Sequence, residues 1–580
     1  MFSSSLRNIR GGILTRFTRR SFVGSAVAAT VAGAAGGFAE EAKGASKPSH
    51  EPGSTYCDIL RVPDRVTAFA EARHPIPLGR SAATWQAPGI ELRTQVTQSE
   101  VAITLASSKP LIRVHLRWNM AVDTGLLILG DAWERSYGDL AWRGIVPERP
   151  MPWYFATHAH DGVHAYGVRT GAGALCFWQM DREGISLWLD VSSGGSGVEL
   201  GQRELQAATV ISRKGQTGEA PHEAVTAFCR KMSPAPRLPK GPIYGTNDWY
   251  YAYGKNTAQG IYRDTELIAS LSPEAGVRPF SVIDMGWEGN PTFPDMTQVA
   301  DEIRMRKARP GIWVRPLEAP RNENPKLLLP AAKFGERSSR TAELAYDPTI
   351  PEALEAALTK IRHAAGWKFE LIKHDFSTYD LLGQWGNEMG AQPTLPGWHF
   401  SDRSRTNAEI IRDFYRSIRQ AAGEGSIVLG CNTVGHLSAG LFEMQRTGDD
   451  TSGMIWERTR RMGVNTLAYR LPQHGTFFVQ DADCVGITKD IPWSLNRDWL
   501  DLVARSGTAL FISPAPDAIG PEQKTAVREA FAIAASGSSS GHSLDWLGET
   551  TPQDWQFGNN AVGAKHYNWS GEDGCDPFPI

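Results

Sequence analysis

The sequence has little cysteine, with six in 580 residues, no Cys-x-x-Cys pair and no Cys/His spacing that suggests zinc. A disulfide scaffold is therefore not what holds this chain together. An excess of basic charge is missing as well: Lys+Arg 60 against Asp+Glu 63 leaves a net charge of -3. That argues against a broad nucleic-acid surface, which needs a basic face. Past the first 40 or so residues, no run is long and apolar enough to span a bilayer. What the chain does have is 19 Trp, 58 Gly and 36 Pro, with 41% hydrophobic and 21% charged residues. Sizeable cores follow from that composition, and the length implies about three or four domains. A sugar-binding cleft would use many tryptophans, although core packing is their default role.

The opening stretch is an address. Arg7, Arg10 and Arg16 lead to Thr18-Arg19-Arg20-Ser21-Phe22-Val23, then to an Ala/Gly/Val run ending near Ala39. Twin arginines before a weakly apolar segment resemble a bacterial Tat signal; the competing reading is a poor membrane anchor. Residues 1–45 are thus expected to be a leader, cleaved between 39 and 50, and the mature chain to be periplasmic or secreted. Its removal leaves 54 basic and 61 acidic residues, a net -7. Such a charge suits a neutral sugar more than a polyanion.

Residues 46–237 alternate with period two, as in Val101–Leu105, Leu111–Leu116 and Ala174–Trp178, with turns such as Ser192–Gly197 between them. This predicts an N-terminal β-sandwich of antiparallel sheets. The Pro-rich stretch Ser233–Pro242 marks a boundary. Residues 238–538 then follow a strand, loop, helix rhythm. Apolar runs lie at Ile243–Tyr244, Pro279–Ile283, Ile312–Val314, Leu371–Ile372, Ile427–Leu429, before Arg446, at Phe477–Val479 and at Leu510–Ile512. Helical stripes separate several of them, for example Met296, Val299, Ala300 and Ile303. Eight βα units predict a central (β/α)8 TIM barrel. A doubly wound sheet is the alternative, but no Gly-rich phosphate loop follows the first strand. Residues 539–580, with Trp546, Trp555 and Trp569, are expected to add a short C-terminal β segment. The fold class is multidomain α/β plus β.

Catalytic groups of such barrels sit at the carboxyl ends of the strands. There the sequence places Asp284-Met285-Gly286-Trp287 after strand two and Lys373-His374-Asp375 after strand four. Cys431-Asn432 follow strand five, Arg446-Thr447-Gly448-Asp449-Asp450 strand six, and Gln480-Asp481-Ala482-Asp483 strand seven. A single carboxylate at a strand end is usually a cap or a loop tie. Several of them with Lys373 and Arg446 at one rim suit glycoside cleavage, which uses two carboxyl groups, and would equally admit other barrel chemistry.

These residues resemble the α-galactosidase clan of glycoside hydrolases, families 27 and 36, with the chain order favouring family 36. The resemblance covers about 243–516 and extends weakly to Gly130-Asp131-Ala132-Trp133-Glu134-Arg135-Ser136-Tyr137-Gly138-Asp139 in the sandwich. Lys373-His374-Asp375 matches the family's Lys-x-Asp nucleophile motif, and Arg446 with Asp450 its Arg-x-x-x-Asp acid/base motif. What this implies is a retaining double displacement. Asp375 attacks the anomeric carbon, while Asp450 protonates the leaving oxygen and then activates water, with the two carboxyls about 5–5.5 Å apart. Lys373 is expected to keep Asp375 ionised, and Asp450 to be held protonated by burial or a nearby carboxylate. Asp449 competes with Asp450, and the four-residue spacing from Arg446 decides between them.

Asp284, Lys373, Cys431, Asn432 and Arg446 are expected to bind the sugar, with Trp249 and Trp287 stacking on it. His374 points into packing. Two departures bear on the glycone: Met285 stands where the family often has a second aspartate, and Asn432 where family 27 often has Glu. The expected activity is an exported α-galactosidase. Alternatives are an α-N-acetylgalactosaminidase, a β-L-arabinopyranosidase, a transglycosylase or a non-catalytic carbohydrate-binding protein. No metal, cofactor or nucleic-acid partner is implied; the partner is a carbohydrate substrate.

Overall fold

Along Val101–Ser107 the residues Val101, Ile103, Leu105 and Ser107 are buried and those between them half-exposed. This is the signature of a strand packed on one face. The computed structural model describes residues 54–70, 74–339, 343–558 and 563–570. The segment with the export-signal reading lies outside these. Among the described residues no helix is long and apolar enough to cross a membrane.

Two antiparallel sheets form the first part. A six-stranded sheet runs in the order Pro75–Pro77, Arg65–Ala70, Leu111–Asn119, Gly184–Asp190, Leu175–Asp181, Met151–Pro152. An eight-stranded sheet begins with Gly79–Ser81 and ends with Tyr154–Ala159 and Leu127–Gly130. One element there was not expected. Pro221–Met232 is an α-helix that buries Ala224, Val225, Phe228, Cys229 and Met232 on one face. Spacings of one, three and four give a helical stripe, and Pro221 opens the helix where a missing N–H costs nothing.

The second part is the (β/α)8 barrel. Its parallel strands are Tyr244–Asn247, Phe280–Ile283, Arg309–Val314, Leu371–His374, Ile427–Gly430, Met444–Arg446, a seventh in two pieces, and Leu510–Pro514. Ile243, Phe280, Val282, Leu371, Leu429, Met444, Cys484 and Phe511 pack together as its interior. The seventh strand corrects the sequence reading. Phe477 and Phe478 are buried ahead of it, and the strand begins at Val479. Val479–Asp481 pairs with the sixth strand and Val485–Ile487 with the eighth. Between them Asp483 adopts φ 77°, a left-handed conformation that interrupts a ladder and that Asp tolerates better than most residues. A bridge from Asp481 to Ala509 closes the ring.

Sandwich and barrel belong to one compact unit. Asp131, beyond the strand Leu127–Gly130, pairs with Arg470 (3.0 Å) and accepts from Gln473 Nε2 (3.0 Å), with Asp131 and Arg470 both buried. The tail adds a three-stranded antiparallel sheet of Gly541–Ser543, Asp554–Phe557 and Ala564–His566. Trp456 Nε1 donates to the Trp569 carbonyl (2.7 Å), and the Tyr469 hydroxyl to that of Trp546 (2.6 Å), which ties the tail to the barrel. Replacing Asp131 with Ala strands a buried guanidinium. The expected loss is about 3–5 kcal/mol, read from the denaturant midpoint; a loss under about 1 kcal/mol would show that the pair does not join the two parts.

Candidate active site

Side chains alternate along a strand, so each inward residue of the barrel core predicts what stands two residues later at the rim. Val282 leads to Asp284, Leu371 to Lys373 and then Asp375, Leu429 to Cys431, and Met444 to Arg446. Asp284, Lys373, Asp375, Cys431 and Arg446 are all buried, between 1% and 9% exposed. They form one cluster. Lys373 Nζ donates to Asp284 Oδ2 (2.8 Å), which also accepts from Asn247 Nδ2 (2.7 Å). Burial alone would lower the Lys373 ammonium, but the Asp284 carboxylate reverses that and holds it well above its ordinary value. Lys373 is a permanent cation within electrostatic reach of both Asp375 and Asp450.

The two carboxylates have different surroundings. Asp375 is held by neutral donors: Trp313 Nε1 to one oxygen (3.0 Å) and the Phe376 amide to the other (2.7 Å). Asp450 is held by cations. Arg446 Nη2 lies 3.0 Å and Arg135 Nη1 3.5 Å from its Oδ1, and its side chain is 42% exposed. Burial raises the Asp450 carboxyl, yet Arg446, Arg135 and Lys373 outweigh it and hold it below the usual carboxylate range. Burial was expected to keep Asp450 protonated, whereas the guanidiniums beside it favour its ionised form. Asp449 is turned elsewhere, to Arg458 (2.7 Å) and Arg135 (3.3 Å).

The other expected residues divide. Asn432 adopts φ 50° on the outward parity, and both ends of its amide are taken: Nδ2 donates to Glu134 Oε2 (2.5 Å) and Oδ1 accepts the Tyr379 amide (3.3 Å). It supports the rim and, at 1% exposed, offers the opening no free group. Cys431 is a neutral thiol, pushed well above its usual value by burial and by the Asp375 charge. His374 lies among Phe414, Tyr415 and Phe442, and burial lowers it to about 3. Trp249 is half-buried against Tyr253 (5.6 Å, edge-on). Trp287 is also half-buried, but its indole N–H is committed to the Trp313 carbonyl (2.9 Å) and its ring meets Trp367 edge-on (5.7 Å). Asp483 Oδ2 accepts from Arg446, Tyr250 and Thr451 and holds Arg446 in place.

Two residues escaped the sequence reading. Trp313 stands in register with Lys373 on the neighbouring strand, and parity along strand three would have found it. Arg135 comes from the sandwich, 315 residues before Asp450. Its only sequence signal was the Gly130–Asp139 segment, and nothing local says that this segment reaches the barrel.

No protein-family model matches this chain. Its structure is similar to that of an α-galactosidase from Thermus thermophilus in complex with p-nitrophenyl α-D-galactopyranoside, at TM-score 0.55 and 18% identity, over 87% of this chain and 98% of that one. It is also similar to the family 36 α-galactosidase AgaA from Geobacillus stearothermophilus (TM-score 0.55, 11% identity, 85% and 79% covered). A third likeness is to the α-galactosidase from Lactobacillus brevis (TM-score 0.56, 12% identity, 86% and 77% covered). The chain has the fold of the family 36 α-galactosidases. Replacing Arg135 with Gln is expected to raise the Asp450 carboxyl toward the usual carboxylate range, followed by carboxyl carbon NMR. An unchanged titration would remove Arg135 from the site.

Proposed function

We propose that this chain is an exported retaining α-glycosidase, first of all an α-galactosidase acting on terminal α-galactosyl residues of oligo- or polysaccharides. The observation that carries the reading is the contrast between two carboxylates at one barrel mouth. Asp375 sits in neutral N–H donors that aim its oxygens and tie it to no cation, as suits a nucleophile. Asp450 is partly open to solvent and touches two guanidiniums, where it can take a proton from water and return it. In this mechanism Asp375 forms a bond to the anomeric carbon as Asp450 gives its proton to the departing oxygen. Asp450 then draws a proton from water, the water oxygen attacks the anomeric carbon, and Asp375 is released. Lys373 balances the charge between them. The twin-arginine segment supports export. The fold likeness supports the substrate class: solved family 36 relatives are complexes with stachyose and raffinose.

One observation favours a second reading of the glycone. Met285 stands beside Asp284 at the rim, and a thioether is a poor partner for a sugar hydroxyl. A β-L-arabinopyranoside has galactose's ring without the hydroxymethyl group, so an apolar neighbour there favours it over galactose. An α-N-acetylgalactosaminidase and transglycosylation through the same covalent intermediate remain alternatives, as does a non-catalytic carbohydrate binder.

A panel of aryl α-galactoside, α-N-acetylgalactosaminide and β-L-arabinopyranoside tests this. Wild type is expected to turn over at least one member, and Asp375→Ala to lose roughly a thousand-fold or more. No turnover of any member by wild type would refute the enzyme reading; equal turnover by the variant would refute the nucleophile. The pH dependence has a definite sign. Asp450 must be protonated to act as an acid and its carboxyl is depressed, so kcat/KM should fall as pH rises, with the falling limb below the usual carboxylate range. Arg135→Gln, which raises that carboxyl, should move the falling limb to higher pH. A limb that stays put or moves down contradicts Asp450 as the acid.

A further inference from the structure

Phe376 directly follows Asp375 and has a left-handed backbone, with φ 66° and ψ 3°. For a bulky residue whose side chain makes no hydrogen bond this conformation is uncommon, and it persists only where the surroundings fix it. We propose that Arg315 is a positioning residue for the nucleophile: its guanidinium holds the Phe376 ring, and with it the left-handed turn that aims the Phe376 amide at Asp375. The inference deepens the glycosidase reading and rests on Asp375 being its nucleophile.

A closed circuit of contacts carries this. The centre of the Arg315 guanidinium lies 4.5 Å from the centre of the Phe376 ring. That is within the distance, about 6 Å, at which a cation is attracted to an aromatic face. Arg315 is itself fixed from behind. Its Nε and Nη2 donate to the two oxygens of Asp380 (3.0 and 2.6 Å), and Nη2 also donates to Glu343 (2.9 Å). Arg315 and Asp380 are 7% and 1% exposed, so neither can trade the other for water. Asp380 then returns to the turn, where its amide donates to the Phe376 carbonyl (2.8 Å). Lys333 Nζ donates in turn to the Asp380 carbonyl. Trp385 also meets the Phe376 ring, tilted by 34° at 5.9 Å.

Both peptide groups of Phe376 are thereby in use. Its N–H goes to Asp375 Oδ1 (2.7 Å), and its carbonyl accepts from the first turn of the helix Ser377–Leu382. Arg315 and Trp313 stand two residues apart beyond and within strand three. One stretch of chain thus supports both oxygens of the nucleophile, Trp313 at Oδ2 directly and Arg315 at Oδ1 through Phe376. Two carboxylates oppose the Arg315 charge, so its effect travels by geometry. A nucleophile that is poorly aimed loses rate in the bond-forming step and leaves ground-state binding as it was.

The test is a double-mutant cycle read by single-turnover release of the aryl group from the panel member that wild type cleaves. Arg315→Lys keeps a charge for Asp380 but has neither the planar face nor the fork. It is expected to slow the single-turnover rate about ten-fold with KM unchanged within about two-fold. Glycine adopts a left-handed backbone without a ring to hold it. In a Phe376→Gly background the same Arg315→Lys change should therefore cost less than about two-fold. An equal loss in both backgrounds would mean that Arg315 only secures its own loop, and would overturn the inference. Phe376→Leu keeps the demand for a left-handed residue and removes the flat ring. It should be slowed as much as Arg315→Lys, and it covers the case in which that variant does not fold. A Phe376→Leu rate equal to wild type would overturn the inference, as would a loss confined to KM, which marks a sugar contact. Asp375→Ala separates the two levels. Undiminished turnover by it refutes the nucleophile and this inference together, whereas an inactive Asp375→Ala beside an uncoupled Arg315 refutes the positioning alone.

Discussion

The barrel mouth is completed by a segment that does not belong to the barrel. Between Asp131 and Ser136 the sandwich chain makes four successive attachments to the rim. Asp131 takes Arg470, Glu134 takes Asn432, Arg135 reaches Asp449 and Asp450, and the Ser136 amide donates to Thr447. Asp131, Glu134, Arg135 and Ser136 are all at most 9% exposed, so their charges depend on partners more than 250 residues away. A buried charge that loses its partner is costly, so the sandwich cannot drift from the barrel without stranding one. The site therefore exists only in the assembled chain.

That attachment also sets the electrostatics. Each buried cation at the mouth has a carboxylate: Lys373 has Asp284, Arg446 has Asp483 and Asp450, Arg135 has Asp449 and Asp450. Asp375, by contrast, is held by uncharged N–H groups. The two carboxylates proposed to work together are thereby given unlike environments, and an unlike pair is what divides nucleophile from acid/base. Arg135 reaches Asp450 from outside the barrel, so in the proposed mechanism the sandwich contributes to the chemistry as well as to the fold.

Much of this was legible in the sequence, and the exceptions share a cause. Period-two runs gave the sandwich strands, and the eight apolar runs located the barrel strands, because both signals are local. Parity along those strands carried Asp284, Lys373, Asp375, Cys431 and Arg446 to one rim. The same parity sends Asn432 outward, away from the role expected of it. Pro221–Met232 was hidden by its setting among strands, although its apolar spacing is helical. The break in strand seven depends on Asp483 reaching Arg446 and Thr451, and Arg135 on a contact across 315 positions; neither is a property of a local window. The charges that surround Asp450 escaped notice for the same reason. Burial was foreseeable, but the two guanidiniums that outweigh it arrive from different domains. Tryptophan abundance proved to be mostly packing, with thirteen of nineteen buried.

The central claim is that Asp375 and Asp450 act as a nucleophile and acid/base pair within one covalent cycle. Proton NMR of the sugar released in the first minutes from an aryl α-galactoside, or from whichever aryl glycoside of the panel is cleaved, tests it most directly. A retaining pair releases the product with the substrate's anomeric configuration, which then mutarotates; the account predicts α-galactose first. Initial release of β-galactose would mean a single inversion by water and would contradict Asp375 as nucleophile.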